Sequence, residues 1–441
     1  MKGRYATDAA MSLTKSLDEV SYFSLFSYSV AGYLLTLPID GVKAASNLFF
    51  YTSMLFLVMS GFKEGHAFLC LRKLDLGVWS LGLYVLVVAG AIFLNKQDTI
   101  NSLSRLRTGL GAQLYVLYSS FLILQKEKTV RLLIAAMAIG YCLLVAKTLY
   151  LIGEVWITSP SLFSQDFHVR KFSPGYGITT LFFLPVLFGY LVTFRPKLTW
   201  RLVGYGAGAL GLVLAISYNS TSGVVFVGSY VVYLALHSAH LRFRWGYDRL
   251  AVIAVLSIGV LFGGISHDGQ TKIFNQYEKA VAGNNYDLLS QRIGIWAIAI
   301  DCALDAPWYG YGYGQKKVAL LCSDQKYLEP ARLKGNSSSE YFKEDRYGSI
   351  GFHNQYIENW FIGGGVGFVL WLTIFSAAIG AAWRKRHRDS GLSTIVLPII
   401  VLYLAGCMFN GLWEAQPMTK GLMVLLAWAW WEPAECACHS K

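Results

Sequence analysis

The sequence predicts an all-α polytopic membrane protein with about twelve transmembrane helices and one large external loop between the ninth and the tenth. Of its 441 residues, 55% are hydrophobic and only 15% are charged, whereas a soluble domain carries about 25% charged residues. Apolar runs of nearly membrane-spanning length recur along the chain. The net charge of +12 comes from short basic clusters between those runs, which indicates membrane-flanking loops and no nucleic-acid-binding surface.

The apolar runs define the predicted spans, because an α-helix needs about 20 apolar residues to cross the hydrocarbon core. They lie at 20–38, 47–62, 76–94, 109–124, 129–153, 175–194, 202–217, 220–238, 250–265, 360–383, 394–413 and 418–431. We divide the chain into the first nine transmembrane helices in residues 1–265, a loop domain in 266–352, and the last three helices with a tail in 353–441.

The distribution of Lys and Arg orients the chain, because cytoplasmic loops carry an excess of these residues. With the N-terminus inside, the inner segments hold about twenty Lys and Arg, and the short outer loops hold about seven. We therefore predict that both termini are cytoplasmic. The loop at 266–352 is then external, which means periplasmic for a protein of a Gram-negative inner membrane.

The external loop contains a predicted amphipathic helix at 288–304, which is too short and too charged to span a membrane. Its helically spaced apolar residues are Ile293, Trp296, Ala297, Ile300 and Leu304. Pro307 ends this helix, and a run of alternating aromatic residues and glycines follows it. Further along, the Gly-Asn-Ser-Ser-Ser run at 335–339 predicts a flexible tip.

The cysteines and carboxylates predict no metal site and no cofactor. The seven Cys show no zinc spacing, although Cys302 and Cys322 lie in the same loop and could form a disulfide. Asp301 and Asp305 are one helical turn apart and could hold a divalent cation, but a charged, solvated helix face is the commoner explanation. The chain also lacks a GxSxG nucleophile elbow and a P-loop.

His353 and Asn354 lie where the external loop meets the tenth span. A neutral imidazole at this place can accept a proton from a sugar hydroxyl, because the pKa of histidine lies near working pH. The alternative is an interfacial histidine that binds a backbone group. Asn354 could orient a neighbouring group or cap the start of a helix, and from its position alone the cap is favoured.

Cations on the outer side are the second candidate feature. Arg292 and Trp296 are four residues apart on the amphipathic helix, and an arginine can grip a phosphate through two parallel hydrogen bonds. The alternative is an arginine that reaches toward lipid headgroups. Arg170 and Lys171 precede the sixth span and also face outward. Together these cations and His353 favour an anionic, lipid-linked phosphate substrate with a base beside it.

At this point the sequence resembles the O-antigen ligase and polymerase superfamily of bacterial membrane glycosyltransferases. The resemblance rests on Arg292-x-x-x-Trp296 followed by Ala306-Pro307 and glycines at alternating positions, and on the closing His353-Asn-Gln-Tyr-Ile-Glu. The number of spans and the late external loop agree with it. These motifs cover roughly the C-terminal third of the chain, and their order is more specific than either motif alone.

The resemblance implies metal-independent transfer of a glycan from undecaprenyl diphosphate to an acceptor hydroxyl on the periplasmic face. It implies that His353 activates the hydroxyl and that Arg292 binds the diphosphate. The acceptor is lipid A–core in ligases and a second lipid-linked repeat unit in polymerases. The chain departs from the family at Ser222, where many relatives carry an arginine. We therefore nominate Arg170 and Lys171 as further diphosphate ligands.

We expect an O-antigen ligase, with His353 as the catalytic residue. Membrane lipids surround the protein, and no nucleic acid is expected as a partner. The expected substrate-binding residues are Arg292, Trp296, Arg170, Lys171 and Asn354. The closest alternative is an O-antigen polymerase, since the two enzymes share a donor. A transporter of lipid-linked glycan is the more distant alternative, because transporters tend to carry charges in mid-span and to show repeats.

Overall fold

The computed structural model describes a bundle of helices. It describes residues 21–39, 41–64, 75–95, 99–127, 130–158, 176–217, 278, 292–313, 315–342, 351–409 and 416–432. All regular secondary structure within these residues is helical. Arg170, Lys171, Ser222 and the spans predicted at 220–238 and 250–265 lie outside the described residues, so the predicted span count remains untested.

The helices before the loop follow the predicted apolar runs. They are α1 (Tyr22–Thr36), α2 (Lys43–Glu64), α3 (Leu76–Asn95), α4 (Thr99–Leu106), α5 (Ala112–Glu127), α6 (Arg131–Thr158), α7 (Tyr176–Phe194) and α8 (Leu198–Ser217). A π-helical turn, Arg107–Gly111, joins α4 to α5. The helix α1 packs on α2 and α6, and α7 packs on α6 and α8.

The loop and the last helices follow in the C-terminal part of the chain. The loop contains α9 (Arg292–Leu304), α10 (Gln315–Cys322), α11 (Gln325–Leu333) and a 3-10 helix (Ser337–Phe342). The long helix α12 (Gln355–Lys385) packs on α3, and it is followed by α13 (Leu397–Cys407) and α14 (Gln416–Trp430), which packs on α5.

Within the residues that the structure describes, five helices are long and apolar enough to cross a membrane. These helices are Lys43–Lys63, Leu76–Asn95, Arg131–Thr158, Leu198–Ala215 and Gln355–Lys385. Shorter apolar helices lie at Phe182–Phe194 and Leu392–Cys407. Many large apolar side chains of these helices are exposed, as in α2, where Tyr51, Leu55 and Phe62 point outward. A soluble protein would bury such side chains, whereas a lipid environment accommodates them.

The helix α12 is broken at Gly364, where the chain turns back on itself. Gly364 has φ 59° and ψ −164°, a backbone conformation that favours glycine. The rings of Tyr356 and Trp371 are 5.3 Å apart, and those of Trp360 and Phe368 are 5.4 Å apart. In a straight helix, fifteen residues would separate Tyr356 from Trp371 by about 22 Å along the axis. Residues 355–363 therefore form a half-helix that folds back against residues 365–385.

The segment after α9 satisfies the backbone groups that this break leaves open. The N–H of Tyr311 donates to the carbonyl of Phe361 at 2.8 Å, and the N–H of Gly312 donates to that of Ile362 at 2.9 Å. Gly310 and Gly364 allow this approach, because a Cβ on either would collide with the backbone of the other segment. Irregular backbone at membrane depth is tolerated when protein surrounds it in this way.

The side chain of Asn95 fastens the same segment to the end of α3. Its Nδ2 donates to the carbonyls of Ala91 at 2.8 Å and Gly310 at 3.0 Å. The prediction of one uninterrupted span at 360–383 is thus wrong in its first turn. The run of glycines at 363–365 lets the chain reverse there, so the continuous helix toward Lys385 begins only at residue 365.

Candidate functional site

The helix α9, which begins at Arg292, buries a different face from the one that its apolar pattern predicts. Its buried residues are Gly294, Ile295, Ile298, Ala299, Cys302 and Ala303. Ile300 and Leu304 are 44% and 62% exposed. The small side chains of Gly294, Ala299 and Ala303 allow close packing against the loop, while Ile300 and Leu304 face outward. An outward apolar face fits a helix in contact with lipid.

The middle of the loop packs onto α9 as an ordered part of the site. Cys302 of α9 and Cys322 of α10 form a disulfide, as their place in one loop allowed. The Nδ2 of Asn336 donates to the carbonyl of Gly294 at 2.9 Å. Asn336 and Ser338 are buried. The expected flexible tip at 335–339 is therefore wrong, because these short polar side chains bond to backbone groups of the loop and α9.

The two ends of the loop meet at Trp296. Its Nε1 donates to the carbonyl of Phe352 at 3.0 Å, which is the residue before His353. Its ring lies 6.2 Å from that of Phe409 at the end of α13, and the ring of Phe352 lies 5.3 Å from that of Phe361 in the half-helix. Trp296 thus connects α9 to the backbone that carries His353 and to the last part of the bundle.

His353 lies at the start of the half-helix in an unusual backbone conformation. Its φ is +51°, which few residues other than glycine adopt. The ring is partly buried, and its Nε2 lies 3.2 Å from the hydroxyl oxygen of Tyr341. Because the half-helix runs antiparallel to residues 365–385, its first turn lies beside Trp371 and Leu404. His353 is therefore placed against the bundle.

Asn354 caps the half-helix. Its Oδ1 accepts hydrogen bonds from the N–H of Tyr356 at 3.0 Å and from that of Ile357 at 3.3 Å. This is the geometry of an N-cap residue, in which a short side chain satisfies the first free backbone donors. The cap fixes the direction in which the helix leaves His353, and the interpretation of Asn354 as a cap is confirmed.

The electrostatics of the site follow from burial and from one neighbouring charge. Burial lowers the pKa of His353 below its usual value, and the positive charge of Arg292 lowers it further. Burial also lowers the pKa of Arg292, which nevertheless stays charged, since guanidinium ionises only at far higher pH. The site thus holds a neutral imidazole beside a permanent cation.

The half-helix also presents a polar face to the interior of the bundle. Gln355, Glu358 and Asn359 recur at helical spacing, and all three are buried. The hydroxyl of Tyr84 in α3 donates to Oδ1 of Asn359 at 3.0 Å. Buried polar groups in a membrane bundle are expensive and are characteristic of functional regions, so this face extends the site from His353 toward α3.

Asp305, directly after α9, takes part in a different arrangement on the surface of the loop. Asp305 accepts hydrogen bonds from Nζ of Lys326 at 2.9 Å and from the hydroxyl of Tyr327 at 2.8 Å. These partners lower the pKa of Asp305. Among the residues that the structure describes, no three His, Cys, Asp or Glu side chains are grouped to hold a metal.

The structure brings together Arg292, Trp296, His353 and Asn354 from the predicted set, while Arg170 and Lys171 lie outside the described residues. It adds Tyr341, which the sequence did not indicate, because a single tyrosine among polar residues carries no recognisable signal. Asn95 and Tyr84 were also missed, since their role depends on how α3 packs against α12.

One comparison with known proteins finds a match to this chain. Residues 205–372, which include both Arg292 and His353, match the family model described as O-antigen ligase. No curated protein matches the chain. Over these residues the chain is therefore similar to O-antigen ligases.

Proposed function

We propose that this chain, a member of the O-antigen ligase family by the match of its residues 205–372, joins an O-antigen glycan to lipid A–core. The donor is the glycan on undecaprenyl diphosphate, and the acceptor is a hydroxyl of lipid A–core. The observation that carries this proposal is the meeting of Arg292 and His353, where burial and, to a smaller extent, the charge of the arginine lower the pKa of the imidazole. A neutral base beside a fixed cation suits a hydroxyl nucleophile and an anionic leaving group.

The proposed reaction is a single displacement at the anomeric carbon. The acceptor oxygen forms a bond to that carbon as the bond to the diphosphate oxygen breaks, and the electron pair of that bond leaves with the diphosphate. The hydroxyl proton goes to His353. Arg292 holds the charge that develops on the diphosphate. No protein group other than the base has to change its protonation state, and the reaction needs neither a metal nor a cofactor.

The other site residues hold the two reacting groups in place. Trp296 fixes α9 against the residue before His353. Asn354 acts chiefly as the cap that orients the half-helix. We propose that Arg170 and Lys171 add positive charge for the diphosphate from the segment before α7.

The disulfide supports a periplasmic site. Disulfides persist in oxidising compartments such as the bacterial periplasm and are rare in the cytosol. Cys302 is part of α9, the helix that begins at Arg292, so the candidate site and the disulfide lie on the same side of the membrane. This agrees with the excess of Lys and Arg in the segments that we assign to the cytoplasmic side.

Deletion of the gene tests the proposal, with lipopolysaccharide resolved on a gel. A strain without a ligase loses every O-antigen band above core and accumulates lipid-linked polymer, and the wild-type gene restores the ladder. A strain that retains core with one repeat unit would instead identify a polymerase, which shares the donor. An unchanged ladder in a strain with no second copy would contradict both functions.

A further inference from the structure

The hydroxyl of Tyr341 lies within hydrogen-bonding distance of three groups around His353. It lies 3.2 Å from Nε2 of His353. It donates to the carbonyl oxygen of Gly351 at 3.1 Å, and it accepts from the N–H of Gly351 at 3.2 Å. Tyr341 belongs to the 3-10 helix Ser337–Phe342, which packs on α9. One hydroxyl therefore holds both the backbone before His353 and the ring of His353.

The donors and acceptors of this group determine which nitrogen of His353 carries the proton. A carbonyl can only accept, so the one proton of the Tyr341 hydroxyl is directed to Gly351. A backbone N–H can only donate, so it takes one lone pair of the Tyr341 oxygen. What the hydroxyl offers to the imidazole is then its other lone pair. All three contacts can be hydrogen bonds at the same time only when Nε2 of His353 is protonated, which leaves the lone pair of the neutral ring on Nδ1.

We infer that Tyr341 is a positioning residue that holds His353 as the Nε2–H tautomer, so that Nδ1 is the atom that takes the acceptor proton. This inference rests on the proposed function, because it specifies the base of that reaction. Tyr341 touches neither the substrate nor the reacting atoms in this arrangement. It acts through the orientation and the proton of the imidazole.

The reaction then strengthens the same hydrogen bond. When the acceptor hydroxyl passes its proton to Nδ1, the imidazole becomes a cation with an N–H at both nitrogens. The bond from Nε2–H to the Tyr341 oxygen becomes charge-assisted, and such bonds are roughly twice as strong as neutral ones. Tyr341 therefore stabilises the protonated base more than the neutral one, which favours proton transfer although the charge of Arg292 opposes it.

The same contacts account for the backbone of His353. A φ of +51° is unfavourable for a residue with a side chain and persists only where the surroundings hold it. Tyr341 fixes the backbone of Gly351, Trp296 fixes the carbonyl of Phe352, and Asn354 caps the helix that follows. The ring of His353 is thereby directed toward Tyr341, with the two ring centroids 6.0 Å apart.

The test compares Tyr341→Phe with Tyr327→Phe in purified full-length protein. Tyr327 is a matched control, because its hydroxyl is also hydrogen-bonded in the loop, but to Asp305. We expect Tyr341→Phe to lower kcat by about 10- to 100-fold, as the loss of a hydrogen bond to a charged group would, with the donor KM changed less than twofold. The acidic limb of the pH profile should move to lower pH, because the protonated imidazole loses its acceptor. Tyr327→Phe should keep kcat and the pH profile.

A measurement without turnover completes the test. Nitrogen NMR of wild-type protein labelled at the imidazole nitrogens should show a protonated Nε2 and an unprotonated Nδ1 for His353, identified by its loss in His353→Ala. A protonated Nδ1, an unchanged kcat in Tyr341→Phe, or an equal loss in Tyr327→Phe would overturn the inference. Full transfer by His353→Ala would overturn the proposed function itself, whereas a dead His353→Ala with a fully active Tyr341→Phe would overturn only the role of Tyr341.

Discussion

The indole N–H of Trp296 donates to the carbonyl oxygen of Phe352 at 3.0 Å, and this bond connects α9 to the end of the loop that precedes α12. Trp296 lies one helical turn after Arg292, and Phe352 lies directly before His353. The distance between the proposed phosphate ligand and the proposed base is thus set by one side chain and one backbone group. A small change in either group should therefore reduce the rate of transfer more than it reduces the stability of the fold.

Substitution of Trp296 by Phe tests this connection. Phenylalanine keeps an aromatic ring that can face Phe409, but it has no N–H to donate to the carbonyl of Phe352. One such hydrogen bond contributes about 1 kcal/mol. We expect kcat to fall about five- to tenfold in a transfer assay with purified protein, at an unchanged level of folded protein. Trp308→Phe is the control, because Trp308 is 71% exposed. Equal losses in the two variants would rule out a special role for Trp296.

His353→Ala should abolish transfer without loss of protein from the membrane. The variant removes the group that accepts the hydroxyl proton, and general base catalysis contributes about 10²- to 10⁴-fold to such reactions. The measurement is the O-antigen ladder on a gel, together with the amount of protein in the membrane fraction. A normal ladder at normal protein level would remove His353 from the mechanism.

Two substitutions of Arg292 separate its charge from its geometry. Arg292→Lys keeps the positive charge but cannot form two parallel bonds to a phosphate. We expect kcat/KM for the donor to fall at least tenfold, with little change in the pH profile. If Arg292 only reaches toward lipid headgroups, Arg292→Lys should transfer glycan at the wild-type rate.

Arg292→Gln should change the pH dependence as well. The arginine lowers the pKa of His353, so its removal should raise that pKa toward the ordinary value for histidine. Since the base works when it is neutral, the rate falls as the pH drops through its pKa. The acidic limb of kcat/KM should therefore move to higher pH in Arg292→Gln. A limb that stays in place would mean that the two groups do not interact.

The reversal in α12 provides a stability test with adjacent glycines. Ala at position 364 would need an unfavourable φ, and its Cβ would collide with the carbonyl group of Trp308. At Gly365 a Cβ meets nothing within 4 Å. We expect Gly364→Ala to reduce the free energy of unfolding by about 2 kcal/mol or more. Gly365→Ala should be neutral or slightly stabilising. Thermal unfolding in detergent measures both, and similar melting temperatures for the two variants would contradict the reversal.

The disulfide between Cys302 and Cys322 should stabilise the loop. A disulfide that closes a loop of this length typically contributes about 2–4 kcal/mol. Reduction, or Cys302→Ser with Cys322→Ser, should lower the melting temperature and weaken the packing of α9. The control is Cys142→Ser, since Cys142 is a free cysteine. This variant should keep the melting temperature of the wild-type protein. If a thiol-specific reagent labels Cys302 completely in protein purified from membranes without a reducing agent, the bond does not form.

Hydropathy predicted the helical bundle because it reports directly on the solvent around each segment. Hydropathy could not predict the reversal at Gly364, since the predicted apolar run at 360–383 continues through the turn. The three consecutive glycines were a usable indication. The glycines could not reveal the segment at 308–312, which supplies the backbone hydrogen bonds that the broken helix lacks.

The sequence could indicate those candidate-site residues whose type is rare in an apolar chain. Arg292 and His353 stand out because few residues of their kind occur near the outer ends of the spans. Tyr341 and the buried face of α9 did not stand out. The first is one tyrosine among twenty-seven, and the second depends on Gly294 and on the small residues that let the loop approach. Packing, and not residue type, decides both.

The reversal at Gly364 also constrains the order in which the protein is made. The groups that bond to the break belong to residues 308–312, which leave the ribosome before residues 355–385. The loop must therefore have its glycine segment in place before the half-helix can pack beside Trp371. Insertion of residues 355–385 is therefore coupled to folding of the loop. A loop that fails to fold should leave an incompletely inserted helix, which quality-control proteases can recognise.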